Sequence, residues 1–117
     1  MVRKLIDEFG IEYPLPDKSQ FTIGRSKECD VTIPPSTVSE AIVDECTKTL
    51  RRTVYNTISR LHATANYNKE EGIISLIDDS RFGIELDGEI RKISTFRTDR
   101  PAKLKLGYLN LDYVPEN

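Results

Sequence analysis

Leu61-His62-Ala63-Thr64-Ala65-Asn66-Tyr67, then Asn68-Lys69-Glu70-Glu71-Gly72, then Ile73-Ile74-Ser75-Leu76-Ile77 is the stretch on which the fold reading turns. Its first part puts Leu61, Ala63, Ala65 and Tyr67 on one face of a strand, because side chains alternate along extended backbone. Its middle is polar and ends in glycine, as turns do. Its last part is a more apolar strand. The same strand-turn-strand theme recurs outward. Phe21-Thr22-Ile23 and Val31-Thr32-Ile33 alternate upstream. Ile84-Glu85-Leu86 and Glu89-Ile90-Arg91 flank Asp87-Gly88 downstream, a strong hairpin signal because a type I′ turn needs positive φ at both central residues. Leu104 and Leu106 share one phase, Leu109, Leu111 and Tyr113 the other, and the slip at Gly107 predicts a bulge or tight bend. The opening residues, Met1 to Glu8, lack the apolar run of a secretory signal and read as a first strand. Many short strands with closely spaced turns predict an all-β sandwich or barrel.

One segment breaks this rhythm. After Pro34-Pro35, Thr37-Val38-Ser39-Glu40 has the form of a capping box. Ile42, Cys46, Leu50 and Val54 then recur every four residues, which traces a stripe along a helix. The spacing predicts a short helix over 38–54, an insertion of about 36–56 in the all-β frame; a mobile loop is the alternative.

The chain has 117 residues, enough for one domain over 1–117 with one core. Hydrophobic residues make up 38% and charged residues 31%, a globular composition rather than a disordered one. No apolar run is long enough for a membrane span. The net charge of −2 argues against direct nucleic-acid binding, which needs a basic footprint. A single phosphate needs only a few placed cations. Cys29, Cys46 and the single His62 are too few to close a zinc site, so no metal is expected and both thiols are read as free, in a reducing compartment.

Three short motifs occur in order. Ile23-Gly24-Arg25-Ser26 comes first, with Cys29-Asp30-Val31 behind it. Ile58-Ser59-Arg60-Leu61-His62-Ala63 is second. Asp79-Ser80-Arg81-Phe82-Gly83 is third, followed by Asp87-Gly88. Over about Gln20 to Gly107 this ordered set resembles the forkhead-associated (FHA) family, whose pattern is Gly-Arg, then Ser-Arg-x-His, then Ser-x-Asn-Gly-Thr and Asn-Gly. The resemblance implies a β-sandwich of about eleven strands that grips a phosphorylated protein segment, typically phosphothreonine, with loops at one end. No cofactor, membrane or catalytic residue belongs to that picture.

By the resemblance, Arg25 contacts phosphate or peptide backbone from the rim. Chemistry agrees, since a guanidinium offers paired donors to phosphate oxygens. Ser59 would donate its hydroxyl to the phosphate, and Arg60 would bind it through charge and backbone. Thr57 in the same loop is a candidate peptide contact. His62 would be structural, shaping the phosphate loop, and Gly24, Gly83 and Gly88 would be turn glycines. The chain departs from the pattern where Phe82 replaces the asparagine that reads peptide backbone, Ile84 the threonine and Asp87 the second asparagine. Arg81 and Phe82 are therefore candidate ligand contacts of a different kind. Ser-basic-aromatic-Gly is similar to the nibrin-type N-terminal branch, which implies an intracellular, nuclear role in signalling, in the DNA-damage or cell-cycle response. Lys48, Arg51 and Arg52 of the insert either extend the basic surface toward an acidic or multiply phosphorylated partner or form a solvated helix face.

Two other classes compete. A phosphate-independent dimerisation or docking domain would keep the frame and lose ligand reading at Phe82 and Ile84. A small enzyme is disfavoured: the single histidine has no evident nucleophile partner, and adjacent Asp78 and Asp79 point to opposite faces of a strand.

Overall fold

Each predicted strand finds a partner because its apolar phase has a sheet face to bury. The computed structural model describes residues 3–35 and 45–115. In chain order these form β1 (Lys4–Asp7), β2 (Glu12–Pro14), β3 (Gln20–Gly24), β4 (Val31–Thr32), α1 (Glu45–Tyr55), β5 (Ala63–Asn68), β6 (Ile73–Asp78), β7 (Ile84–Leu86), β8 (Glu89–Ile90), β9 (Ile93–Arg97), β10 (Ala102–Leu106) and β11 (Leu109–Val114). One sheet runs β2-β1-β11-β10-β7-β8 and the other β4-β3-β5-β6-β9. Only the short β3–β4 pair is parallel. The all-β sandwich of about eleven strands that the resemblance implies is the fold observed, with eleven strands among the described residues.

Alternation decides what lies between the sheets. In β9 to β11 buried and outward residues take turns, so Ser94, Phe96, Leu104, Leu106, Leu109, Leu111 and Tyr113 face inward. On β5 the inward residues are Ala63 and Ala65, both 0% exposed. Ala65 sits between Phe21 of β3 and Leu76 of β6, so a small residue makes room for two large ones. Across the sandwich, the Phe96 and Tyr113 rings lie 4.9 Å apart and tie β9 to β11. Each fully buried aliphatic side chain contributes about 1.5–3 kcal/mol against exposure.

The turns follow their chemistry. Asp87 (φ 49°) and Gly88 (φ 88°) both take positive φ, as a type I′ hairpin requires, and Leu86 pairs with Glu89 across it. Gly107, at φ 59°, opens a two-residue turn between Leu106 and Leu109, which explains the phase slip.

Two expectations need correcting. Leu61 does not share the β5 face: it precedes the strand and is 40% exposed. The helical stripe also fails. The capping box and Ile42 lie outside the described residues, and on α1 Cys46 is exposed and Leu50 is 53% exposed. The helix docks by its last turn instead. Val54 and Tyr55 are buried, Arg51 lies over the Phe9 ring at 5.5 Å, and Ile58 just beyond is fully buried. This i, i+3, i+4, i+7 set is the true inner face. Both cysteines are free. No described helix is long and apolar enough to cross a membrane.

Candidate functional site

Four connections meet at one end of the sandwich: residues 25–30 after β3, 56–62 before β5, 79–83 after β6, and the β10–β11 turn. Their junction is Ser59. Its N–H donates to His62 Nδ1 at 3.0 Å. Its carbonyl accepts the Arg25 N–H at 2.9 Å. Its Oγ accepts the Arg81 N–H at 3.0 Å. One half-buried serine thereby joins three loops. With Oγ acting as acceptor, its proton has no acceptor among the described residues.

Arg25 is exposed yet anchored. Its Nε donates to the Ile58 carbonyl at 3.0 Å, which fixes the stem and leaves both terminal nitrogens for other acceptors. Arg60 is exposed, and its carbonyl accepts the Ser26 N–H at 3.1 Å. Arg81 is exposed, with its guanidinium 5.5 Å from the Phe82 ring centroid. Phe82 is 47% exposed, and its ring lies 5.7 Å from that of Tyr108, itself 56% exposed. Tyr108 was not foreseen. The signal available was an aromatic residue at the tip of the Gly107 turn.

Two residues have other duties than those expected. Thr57 is 8% exposed; its hydroxyl donates to the Val54 carbonyl at 2.6 Å and accepts the Tyr108 N–H at 2.9 Å. With its single proton engaged inside the fold, Thr57 is a strut between α1 and the β10–β11 turn rather than a surface contact. Gly24 is no turn glycine. It ends β3 without positive φ, and a Cβ there would lie 2.1 Å from the Arg60 carbonyl oxygen. Glycine is needed because two backbones touch. Gly83, at φ 92°, is a turn glycine as expected.

His62 holds the junction from beneath. It is 0% exposed. Nδ1 accepts from Ser59, so the proton sits on Nε2, which donates to the Gly83 carbonyl at 3.0 Å. Gly83 O also accepts the Gly107 N–H at 3.0 Å. Ser80 completes the same loop: its Oγ accepts the Gly83 N–H at 2.7 Å and donates to Asp78.

Burial pushes the His62 imidazole below its ordinary value of 6.5, while the Gly83 bond and the Asp78 charge oppose this less strongly. The folded state then binds fewer protons than the unfolded chain, so stability rises with pH in this window. The contribution is complete above about pH 6.5 and is lost as pH falls through that value, at up to ~1.4 kcal/mol per pH unit until the folded pKa is reached. Guanidinium denaturation at about pH 7.5 and 5.5 should show a lower midpoint at the acid value, attributable to the single histidine. An unchanged midpoint would refute the assignment.

The FHA domain family model matches residues 21–107. No curated protein sequence matches the chain. Among solved structures the fold is similar to the FHA domain of CT664 from Chlamydia trachomatis, with TM-score 0.66, 16% identity and 100% of each chain covered. It is similar also to the N-terminal FHA domain of Rad53p from S. cerevisiae, solved with a phosphothreonine peptide, with TM-score 0.60, 17% identity and 100% and 94% of the two chains covered. A matched span that begins in β3, ends at Gly107 and contains all three motifs makes the conclusion direct: the chain belongs to the FHA domain family.

Proposed function

We propose that the protein binds a phosphorylated segment of a partner protein, with phosphothreonine the expected residue, at the loop end centred on Ser59. The observation that carries this reading is a Ser59 hydroxyl whose proton has no acceptor among the described residues, beside two exposed arginines: Arg60, next in the chain, and Arg25, whose N–H is bonded to the Ser59 carbonyl and whose Nε is bonded to the Ile58 carbonyl. A phosphate carries roughly −1.5 to −2 charge and three acceptor oxygens, which suits two guanidinium groups and one hydroxyl. Arg25 and Arg60 supply charge, Ser59 supplies a short hydrogen bond, and His62, Gly24 and Gly83 hold the loops in register. Arg81 and the Phe82–Tyr108 pair flank the phosphate position and offer the peptide an apolar, cationic wall where the family pattern has an asparagine. A phosphothreonine peptide is the ligand in the similar Rad53p domain. A narrower extension, to nuclear DNA-damage or cell-cycle signalling, rests on the Ser80-Arg81-Phe82-Gly83 order; imaging tagged protein before and after DNA breakage tests it.

Calorimetric titration should show binding of phosphothreonine peptides and none of their unphosphorylated twins. Arg25→Ala and Ser59→Ala should each weaken binding by about tenfold to a hundredfold, the range for hydrogen bonds to a charged group. Equal affinity for both peptide forms would sink the proposal. It would favour the second reading, phosphate-independent docking on the exposed Phe82–Tyr108 surface.

A further inference from the structure

A cavity of about 360 Å³ opens between the loop after β3 and α1. Arg25 and Lys27 line it from the loop, and Lys48, Arg51 and Arg52 from the helix. No described residue lining it is acidic. In a chain whose net charge is −2, five cations facing one cavity are a marked segregation of charge. Among the described residues the one ion pair that any of them makes is that of Lys48 with Glu45, 3.8 Å away at the exposed start of the helix.

The arrangement is unfavourable as it stands. Lys48 and Arg52 are a like-charge i, i+4 pair, and Lys48 and Arg51 an i, i+3 pair, which strains the helix electrostatically. Arg51 is also held in place, with its guanidinium over Phe9 and its Nε buried without a hydrogen-bond acceptor. An anion with several acceptor oxygens in the cavity would offset the like-charge repulsion and take charge-assisted hydrogen bonds from the lysine and arginine head groups that line it. The cavity volume lies at the lower end of the range for small-ligand sites.

We propose that this cavity is a second anion subsite, which takes another phosphate or a clustered carboxylate on the same partner segment. It rests on the phosphopeptide reading, because Arg25 is the shared wall. Arg25 lines the cavity, and its backbone N–H is bonded to the Ser59 carbonyl. An extended peptide advances about 3.3 Å per residue, so the second group lies within a few residues of the first. Binding both groups makes the second contact intramolecular and raises affinity without a new partner.

The test titrates three peptides into the intact protein: one phosphothreonine alone, one with an added phosphoserine scanned over about five residues on either side, and one with paired aspartates at the best position. The doubly phosphorylated peptide should bind about tenfold tighter or more, with a gain that shrinks as salt rises. Lys48→Gln with Arg52→Gln should remove most of that gain and leave the singly phosphorylated affinity intact. This pair spares the Arg51–Phe9 contact; adding Arg51→Gln should erase the gain, with thermal melting confirming the fold. An aspartate peptide that gains as much as the second phosphate assigns the cavity to acidic segments; a larger gain for phosphate assigns it to multiply phosphorylated ones. Equal affinity of the singly and doubly phosphorylated peptides, or a gain that survives the substitutions, would overturn the inference while leaving the Ser59 site standing. Binding of neither peptide would overturn the phosphopeptide reading and this inference with it.

Discussion

Asp7→Ala is expected to cost ~3–5 kcal/mol of unfolding free energy, the scale for leaving several buried donors without their shared acceptor. Asp7 is 4% exposed, and its carboxylate answers four donors. Oδ1 accepts the Phe9 and Ile11 N–H groups at 2.9 and 3.1 Å. Oδ2 accepts the Tyr13 and Tyr55 hydroxyls at 2.8 and 2.7 Å. Burial, and next the hydrogen bond to this carboxylate, push both phenols up from their ordinary value, so they stay protonated and keep donating. Alanine leaves two N–H groups and two hydroxyls without an acceptor, each at about 1–3 kcal/mol when buried, partly recovered by relaxation. The effect also has a place. Tyr55 is the last residue of α1 and lines the basic cavity, so losing its anchor loosens the helix against the sandwich. Against a typical domain stability of about 5–15 kcal/mol, the loss should be plain in guanidinium denaturation. Asp7→Asn keeps one acceptor and should fall between the two; a loss below about 1 kcal/mol for alanine would show that the carboxylate is not the tie.

The sequence reading succeeds where the signal is local. Asp87-Gly88 names its own turn, because only positive φ at both positions closes the hairpin, and both are observed. Gly107 between two leucine phases likewise announces a tight turn. The strands of the core are legible because alternation is a property of neighbouring residues. The candidate site residues Arg25, Ser59 and Arg60, which the proposed function uses, are legible only as short motifs, each weak until all three occur in order.

The reading fails where one segment must know what faces it. The four-residue spacing of Ile42, Cys46, Leu50 and Val54 looks like a buried stripe, yet α1 docks through Arg51, Val54 and Tyr55, because the groups that receive it, Phe9 and Asp7, lie far back in the chain. Thr57 resembles a loop residue open to a ligand, but its partner is the Tyr108 N–H, 51 residues on. The basic residues of the insert are visible in the sequence. Their meeting with Arg25 and Lys27 around one cavity depends on that same docking geometry.

Gly24→Ala is expected to cost stability on a similar scale and to abolish phosphopeptide binding together. The added methyl would lie 2.1 Å from the Arg60 carbonyl oxygen, 2.8 Å from its carbonyl carbon and 3.0 Å from Cys29 Sγ. The sulfur can move; the carbonyl cannot move alone. It is held between the Arg25 N–H to Ser59 carbonyl bond at 2.9 Å and the His62 N–H to Ile23 carbonyl bond at 2.8 Å, and it accepts the Ser26 N–H at 3.1 Å. Ordinary contact is about 3.5 Å, so residues 59–61 must lift from β3 by roughly 1 Å or more. That displacement breaks or stretches three backbone hydrogen bonds, each worth about 0.5–1.5 kcal/mol, on top of about 1–3 kcal/mol of overpacking. Ser59 and Arg60 ride on the displaced segment, so the hydroxyl and the charge leave the position set by Arg25, and an error of about 1 Å is enough to ruin a positioned site. Gly88→Ala is the matched control. Gly88 sits at φ 88° with nothing within 4 Å of an added Cβ, so alanine there meets backbone strain of about 1–2 kcal/mol and no clash. Gly88→Ala should lose stability modestly and bind the peptide normally, while Gly24→Ala loses several-fold more stability and all measurable binding. Comparable behaviour of the two variants would mean that the close approach of β3 to Arg60 is not what positions the Ser59 loop.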